Sequence, residues 1–121
     1  MNSDIGIVGL ATMGRNLALN FLDHNQRVSV WNLESELTAT FEAEYAQAQL
    51  FCASSLTELV ASLAKPRRIM LMIQAGDPVD QVLNQLKVLL NKDDIIIDGG
   101  NTHFQDTQRR QSSLEAAGIH F

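Results

Sequence analysis

Short apolar runs alternate with longer segments of helical periodicity along the whole chain, and this alternation limits the possible folds more than any other feature. A strand followed by a helix, repeated several times, is typical of a parallel sheet, because parallel neighbours need a long crossover connection. Several runs are apolar without alternation, as expected for strands that helices cover on both faces. The predicted strands are residues 5–8, 27–31, 49–52, 69–73 and 95–97, and a sixth begins at 119–121. We therefore predict an α/β fold with a doubly wound parallel sheet in three layers, α/β/α.

The segments between these runs carry recognisable helix ends. Ser55 and Glu58 have the spacing of a capping box, and Asp77 and Pro78 pair an N-cap acceptor with a proline at the first helical position. Gly118 is suited to close a last helix that begins near residue 106, and the first helix is predicted at 13–23. Five strand–helix units and a sixth strand predict a single domain, residues 1–121, truncated from a longer chain.

The composition bounds the class of protein. The chain has 121 residues, enough for one domain, and is 45% hydrophobic and 19% charged, as globular domains are. A net charge of −5 argues against a nucleic-acid partner, which would need a basic surface. Apolar stretches fall short of the ~20 residues of a membrane span, and no signal sequence precedes the first strand. We therefore expect a cytoplasmic protein with no membrane partner.

Cysteine and histidine content bears on redox and metal chemistry. The single cysteine, Cys52, cannot form an internal disulfide and lies in an apolar run, so we interpret it as a core residue. The three histidines, His24, His103 and His120, lack the spacing of metal ligands. We therefore expect no metal site.

The strongest local motif is a G-x-A-x-x-G sequence between the first predicted strand and the first predicted helix. In this position the first glycine permits a tight turn, the alanine lets the backbone approach a pyrophosphate, and the last glycine lets helix and strand pack closely. The phosphates would lie at the helix N-terminus, where free N–H groups favour an anion. The alternative is a structural turn that binds nothing. The residues are Gly9, Leu10, Ala11, Thr12, Met13 and Gly14.

The end of the second predicted strand is where a Rossmann-type domain contacts the adenosine ribose. Asn32, Leu33 and Glu34 occupy this place. Asn32 can hydrogen-bond ribose hydroxyls and Glu34 can accept from a 2′-hydroxyl, but the segment has no arginine for a 2′-phosphate. The alternative is that Asn32 merely ends the strand and Glu34 precedes the next helix.

Two further loops follow the fourth and fifth predicted strands, at the edge of the sheet where ligands of open α/β folds bind. The glycines in these loops allow the backbone to lie close to a ligand, and the asparagine offers both a donor and an acceptor. A plain loop is the alternative for the second of them. The residues are Ile73, Gln74, Ala75 and Gly76 in one loop and Gly99, Gly100 and Asn101 in the other.

Two basic segments are interpreted as solvated surface. Residues 65–68 enter the fourth strand at its amino end, opposite the proposed ligand edge, and are predicted to form a solvated turn. Arg109 and Arg110 are predicted to lie on a solvated face of the last helix.

Taken together, these motifs resemble the amino-terminal part of the 6-phosphogluconate dehydrogenases, over essentially the whole chain. The resemblance implies an NADP-linked oxidoreductase of the pentose phosphate pathway, which oxidises and decarboxylates 6-phosphogluconate to ribulose 5-phosphate. Four segments carry the resemblance, and the last of them is the most discriminating. These segments are residues 9–17, residues 65–69, Ala75 and Gly76 with Asp80, and residues 94–102 continuing through Asp106, Thr107, Arg109 and Arg110.

The resemblance also assigns roles. It implies that residues 9–14 hold the pyrophosphate, that 32–34 occupy the adenosine-ribose site, and that 73–75 line the cofactor. Asn101 would lie where the nicotinamide meets the substrate. The family's catalytic lysine and glutamate lie beyond residue 121, so no catalytic residue is assigned in this chain. A homodimer built through a helical carboxyl-terminal domain is implied for the complete protein.

One position departs from the family pattern. Where the family usually has arginine after the asparagine corresponding to Asn32, this chain has Leu33, followed by Glu34. NAD is therefore an alternative to NADP as the coenzyme. Two other functions stay open from the sequence: the cofactor domain of a related β-hydroxyacid dehydrogenase, and a non-catalytic module that senses nucleotides.

Overall fold

The computed structural model describes residues 2–73, 77–99 and 104–121. Five strands and five helices alternate in this part of the chain. The strands are β1 (Ile5–Val8), β2 (Val28–Trp31), β3 (Leu50–Cys52), β4 (Arg68–Leu71) and β5 (Ile95–Asp98). The helices are α1 (Thr12–Asp23), α2 (Ser35–Tyr45), α3 (Leu56–Ala61), α4 (Asp77–Leu89) and α5 (Phe104–Ala116). The predicted succession of βα units is confirmed.

The strands form one parallel sheet in the order β3-β2-β1-β4-β5. Strand β1 is central, and its Ile7 pairs with Val30 of β2 on one side and Met70 of β4 on the other. The chain moves outward from β1 through β2 to β3, and then crosses back to place β4 beside β1. The order of the strands therefore reverses between β1 and β4, and the loops that follow these two strands diverge to leave a crevice at this point.

Helices cover both faces of the sheet, which confirms the three predicted layers. Alternate residues of β1 point to opposite faces, so Ile7 packs with α1 and α2 while Val8 packs with the other three helices. The first cluster contains the buried residues Ile5, Ile7, Leu10, Ala18, Leu22, Val28, Val30 and Phe41. The second includes Leu59 of α3, Leu86 of α4 and Leu114 of α5.

The ends of the helices match the predicted signals with small differences. The Ser55 hydroxyl accepts a hydrogen bond from Glu58 N at 3.1 Å, as in a capping box. The Glu58 carboxylate, however, reaches back to the backbone and hydroxyl of Ser54 rather than to Ser55. Helix α4 already begins at Asp77, and α5 begins at Phe104 rather than near 106. Gly118, with φ of 82°, closes α5 as predicted.

The ends of the fourth strand and the predicted sixth strand also follow the prediction closely. Strand β4 ends at Leu71, two residues before the predicted end, although Met72 N still donates to Val8 O at 2.7 Å. The predicted sixth strand pairs beside β5 through one parallel bridge, between Ile95 and His120. Ile96 N donates to His120 O, so this residue continues the sheet.

The prediction of a fully solvated surface was wrong for two arginines. Arg67 lies 3.2 Å from Asp94, and the side chains of this ion pair are 13% and 2% exposed. Arg110 is 3% exposed and lies 2.9 Å from Asp80 of α4. Each guanidinium is buried because a carboxylate on a neighbouring element compensates its charge. Arg109 is more exposed, as predicted.

Candidate functional site

The glycine turn follows β1 at the crevice between β1 and β4. Gly9 has φ of 106°, a conformation that residues with a Cβ rarely adopt. A Cβ at Gly9 would collide with the Met72 carbonyl, and a Cβ at Gly14 would collide with the Gly9 carbonyl. The two glycines therefore have the structural roles that the motif predicts: the first makes the tight turn, and the second lets α1 pack against it.

The amino end of α1 points out of this turn. Ala11 is the N-cap residue, with extended backbone and no capping hydrogen bond from a side chain. The helix has no acidic residue in its first turn. Ala11, Thr12 and Met13 are exposed, and the first N–H groups of a helix have no intrahelical partner. This end of α1 therefore offers donors and a positive dipole end to an anion.

An open cleft of about 580 Å³ adjoins the amino end of α1, at the carboxyl ends of β1, β4 and β5. It brings together three segments that the sequence predicted as parts of one site. Among the described residues, the lining contains no lysine, glutamate or histidine, so it offers binding surface but no acid or base. The lining residues are Ala11, Thr12, Met13, Gly14, Met72, Ile73 and Gly99.

Asn32 connects the glycine turn to the loop after β2. Its Oδ1 accepts a hydrogen bond from the backbone N–H of Leu10 at 2.9 Å, and its Nδ2 donates to Glu34 O at 3.0 Å. The sequence predicted Asn32 at the adenosine-ribose site, at the end of the second strand, but did not predict that its side chain would bond to the backbone of two loops. Leu33 is 73% exposed, and Glu34 is also exposed.

A second open pocket, of about 540 Å³, lies between α2 and the ends of β2 and β3. Trp31, Asn32 and Cys52 contribute to its lining. Burial, reinforced by the nearby Glu42 carboxylate, raises the pKa of the Cys52 thiol to about 12. The thiol is therefore protonated at neutral pH, and Cys52 packs against the cluster of α1 and α2. Cys52 is therefore a partly buried residue at the margin of the core, and not a fully buried one as its interpretation as a core residue implied.

The remaining predicted site residues Gln74, Ala75 and Asn101 lie outside the described residues, as do Gly76 and Gly100. Within the described part of the chain, acidic residues, histidines and cysteine form no group of three that could hold a metal ion. In the same residues, every helix is too short or too polar to cross a membrane.

The sequence missed one residue at the centre of the cleft. The Met72 carbonyl closely approaches Gly9, and its side chain lies beside Gly14 and Gly99. Met72 therefore packs directly against the glycine turn. Its place directly after β4 is the only signal that could have indicated this, because nothing local in the sequence shows which strand lies next to β1.

A parallel sheet of this order, with a glycine turn and an uncapped helix N-terminus at the reversal of the strand order, defines a dinucleotide-binding domain of the dehydrogenase type. Residues 4–121 match the family described as the NAD binding domain of 6-phosphogluconate dehydrogenase, and the chain belongs to that family.

Similar proteins agree with this assignment. The decarboxylating 6-phosphogluconate dehydrogenase of Treponema pallidum is 50% identical, over 100% of this chain and 25% of its own length. The NADP(+)-dependent, decarboxylating enzyme of Bacillus subtilis is 47% identical, over 97% of this chain and 25% of its own length. The solved 6-phosphogluconate dehydrogenase of Plasmodium falciparum superimposes with a TM-score of 0.88 and 33% identity, over 97% of this chain and 26% of that one. The chain spans about a quarter of the length of these relatives.

Proposed function

We propose that the chain is the coenzyme-binding domain of an enzyme that oxidises and decarboxylates 6-phosphogluconate to ribulose 5-phosphate with NADP. The observation that carries the proposal is the uncapped amino end of α1, which lies at the reversal of the strand order beside a cleft. The family membership of residues 4–121 favours this function over a related hydroxyacid dehydrogenase or a nucleotide sensor.

In this proposal the exposed amides at the start of α1 bind the pyrophosphate, because they are free donors at the positive end of a helix. The adenosine ribose lies beside residues 32–34, and the nicotinamide occupies the cleft over Met72 and Ile73. The coenzyme, when bound, supplies the acceptor for the hydride. This chain contributes binding and orientation, and the roles of Gln74, Ala75 and Asn101 remain predictions.

We expect the catalytic lysine and glutamate outside residues 1–121, and the described lining of the cleft has no acid or base. We therefore expect no 6-phosphogluconate-dependent reduction of NADP or NAD by the 121-residue chain alone, because hydride transfer needs a positioned base. The increase in absorbance of the reduced nicotinamide tests this, and turnover by the purified chain would contradict it. Cytoplasmic location and a homodimeric complete enzyme belong to the same proposal.

Coenzyme binding at the glycine turn is tested by substituting Ala11, whose small side chain leaves room for the pyrophosphate. NADP is titrated calorimetrically into the wild-type chain and into Ala11→Leu. Ala43→Leu, at an exposed alanine of α2, is the control for adding the same side chain to a helix surface. We expect binding to the wild type and to the control, and none to Ala11→Leu. Equal affinity in all three proteins would remove the glycine turn from the proposal.

A further inference from the structure

Asn32 extends the hydrogen bonding between β1 and β2 by one step beyond the strands. Gly9 N donates to the backbone carbonyl of Trp31 at 2.9 Å, and the next amide, Leu10 N, donates to the side-chain oxygen of Asn32 at 2.9 Å. The asparagine amide thus takes the place of a backbone carbonyl. The main chain after Asn32 can therefore turn away into α2 while the glycine turn stays attached to the sheet.

The partner of this bond is a buried backbone group. Leu10 is 4% exposed, so its N–H would be costly to leave without an acceptor. The amide of Asn32 is held in orientation from its other end, because Nδ2 donates to Glu34 O at 3.0 Å. One side chain therefore joins the turn before α1 to the loop before α2, across 22 positions in the sequence.

We propose that Asn32 is a positioning residue for the pyrophosphate site. It acts through the bond to Leu10, which sets the direction of the chain entering Ala11 and α1. The inference rests on the proposed function, because it assigns the amino end of α1 to the coenzyme pyrophosphate. To the adenosine-ribose site proposed at residues 32–34, it adds a support of the neighbouring pyrophosphate subsite.

The first test uses no ligand and is independent of the proposed function. Hydrogen exchange of the Leu10 amide is followed by NMR in the wild type, Asn32→Asp and Asn32→Ala. Aspartate keeps an acceptor for Leu10 N and alanine does not. We expect slow exchange in the wild type and in Asn32→Asp, and exchange at least about tenfold faster in Asn32→Ala, as for a lost hydrogen bond. Wild-type exchange of Leu10 as fast as that of the exposed Leu33 would overturn the proposal.

The second test separates the pyrophosphate from the ribose. Inorganic pyrophosphate, which has no ribose, and NADP are titrated into the wild type and Asn32→Ala, with Asn84→Ala on α4 as the control. We expect Asn32→Ala to weaken the binding of both ligands by about tenfold, because a turn released by the loss of one hydrogen bond must be ordered again on binding, and the control to weaken neither. Loss of NADP binding with unchanged pyrophosphate binding would show that Asn32 acts at the ribose alone and would overturn the proposal.

The two tests also separate this inference from the proposed function. If the wild type binds neither ligand, the proposed function fails, and the exchange of Leu10 still decides whether Asn32 supports the turn. If the wild type binds both ligands and Asn32→Ala binds them equally well, the positioning role fails while the proposed function stands. Circular dichroism of each variant confirms that the fold is retained, and the exchange measured in the wild type needs no variant.

Discussion

The Nε atom of Arg110 lies 2.9 Å from Oδ1 of Asp80, and this pair joins α5 to α4 beside the core. Arg110 is 3% exposed, whereas the side chain of Asp80 is 30% exposed. Arg109 also bonds to the same carboxylate, at 3.2 Å. The Asp80 carboxylate therefore bonds to two guanidinium groups, of which one is buried.

Replacing Asp80 by asparagine is expected to destabilise the fold at neutral pH. The substitution removes the charge of a carboxylate that bonds to the buried Arg110, at a cost of about 1–3 kcal/mol in the free energy of unfolding. The hydrogen bond from Arg110 is the largest effect on the pKa of Asp80 and holds it below the ordinary value of 3.8. A lowered pKa in the folded state means that this stabilisation is present above about pH 4 and is lost as the pH falls through the folded pKa.

The measurement is urea denaturation of the wild type and Asp80→Asn at pH 7 and at the lowest pH where both fold. Asp23→Asn, at the exposed end of α1, is the control and should change stability by less than about 0.5 kcal/mol. The difference between the wild type and Asp80→Asn should shrink toward acid pH. A difference that is absent at pH 7, or equal at both pH values, would show that Asp80 does not act through its charge.

The parts of the fold that depend on local signals could be predicted from the sequence. The strands follow from apolar runs without alternation, and the turn of residues 9–14 follows from glycines between a strand and a helix. The end of α5 follows from Gly118, because a glycine readily adopts the positive φ that closes a helix.

The parts that the sequence did not predict depend on contacts between distant residues. The partners in the buried pairs of Arg67 and Arg110 lie 27 and 30 positions away, so neither arginine could be recognised as buried from its own surroundings. For the same reason, the sequence predicted a ribose contact for Asn32 but not the hydrogen bond that its side chain accepts from Leu10 N. Which side chains pair depends on which elements pack against each other in the fold. The periodicity of the sequence does not show which elements these are.

Gly14 is expected to be intolerant of even one methyl group. A Cβ at Gly14 would meet the Gly9 backbone, which cannot move without opening the turn. Gly6 is a matched control in β1, because its Cβ would lie 3.1 Å from the flexible end of the Leu63 side chain. We expect Gly14→Ala to destabilise the chain by about 1–3 kcal/mol and to abolish coenzyme binding, and Gly6→Ala to cost less. Thermal unfolding and NADP titration of both variants test this, and a larger effect at Gly6 would contradict it.

The Cys52 thiol is expected to react slowly with thiol reagents while the chain is folded. Only the thiolate reacts, and a pKa raised from 9.0 to about 12 lowers its fraction at pH 8 by about a thousandfold. Burial is the largest cause of the shift, so Glu42→Gln should accelerate the reaction much less than unfolding in urea does. The raised pKa also predicts that stability falls as the pH rises from about 9 toward 12. A folded rate close to the unfolded rate would contradict the buried environment.

We expect the choice of coenzyme to depend on Leu33, at the position where the family resemblance predicts an arginine. Its side chain is 73% exposed, so an arginine can be introduced without a change in packing. A charge-assisted hydrogen bond to a phosphate contributes about 1.5–3 kcal/mol, which is about 10- to 150-fold in affinity. Glu34 adds repulsion toward a 2′-phosphate, but it is exposed and salt screens it, so its effect is smaller.

We therefore expect the wild type to prefer NADP over NAD by less than about tenfold, and Leu33→Arg to raise NADP affinity by about 10-fold or more without strengthening NAD binding. Calorimetric titrations of both coenzymes at one ionic strength measure this. Leu33→Gln, which lengthens the side chain without a charge, is the matched control and should leave the preference unchanged. The added affinity should also decrease with salt, because it comes from an exposed ion pair. A wild type that already prefers NADP by more than tenfold, and gains nothing from the arginine, would mean that another cation binds the 2′-phosphate.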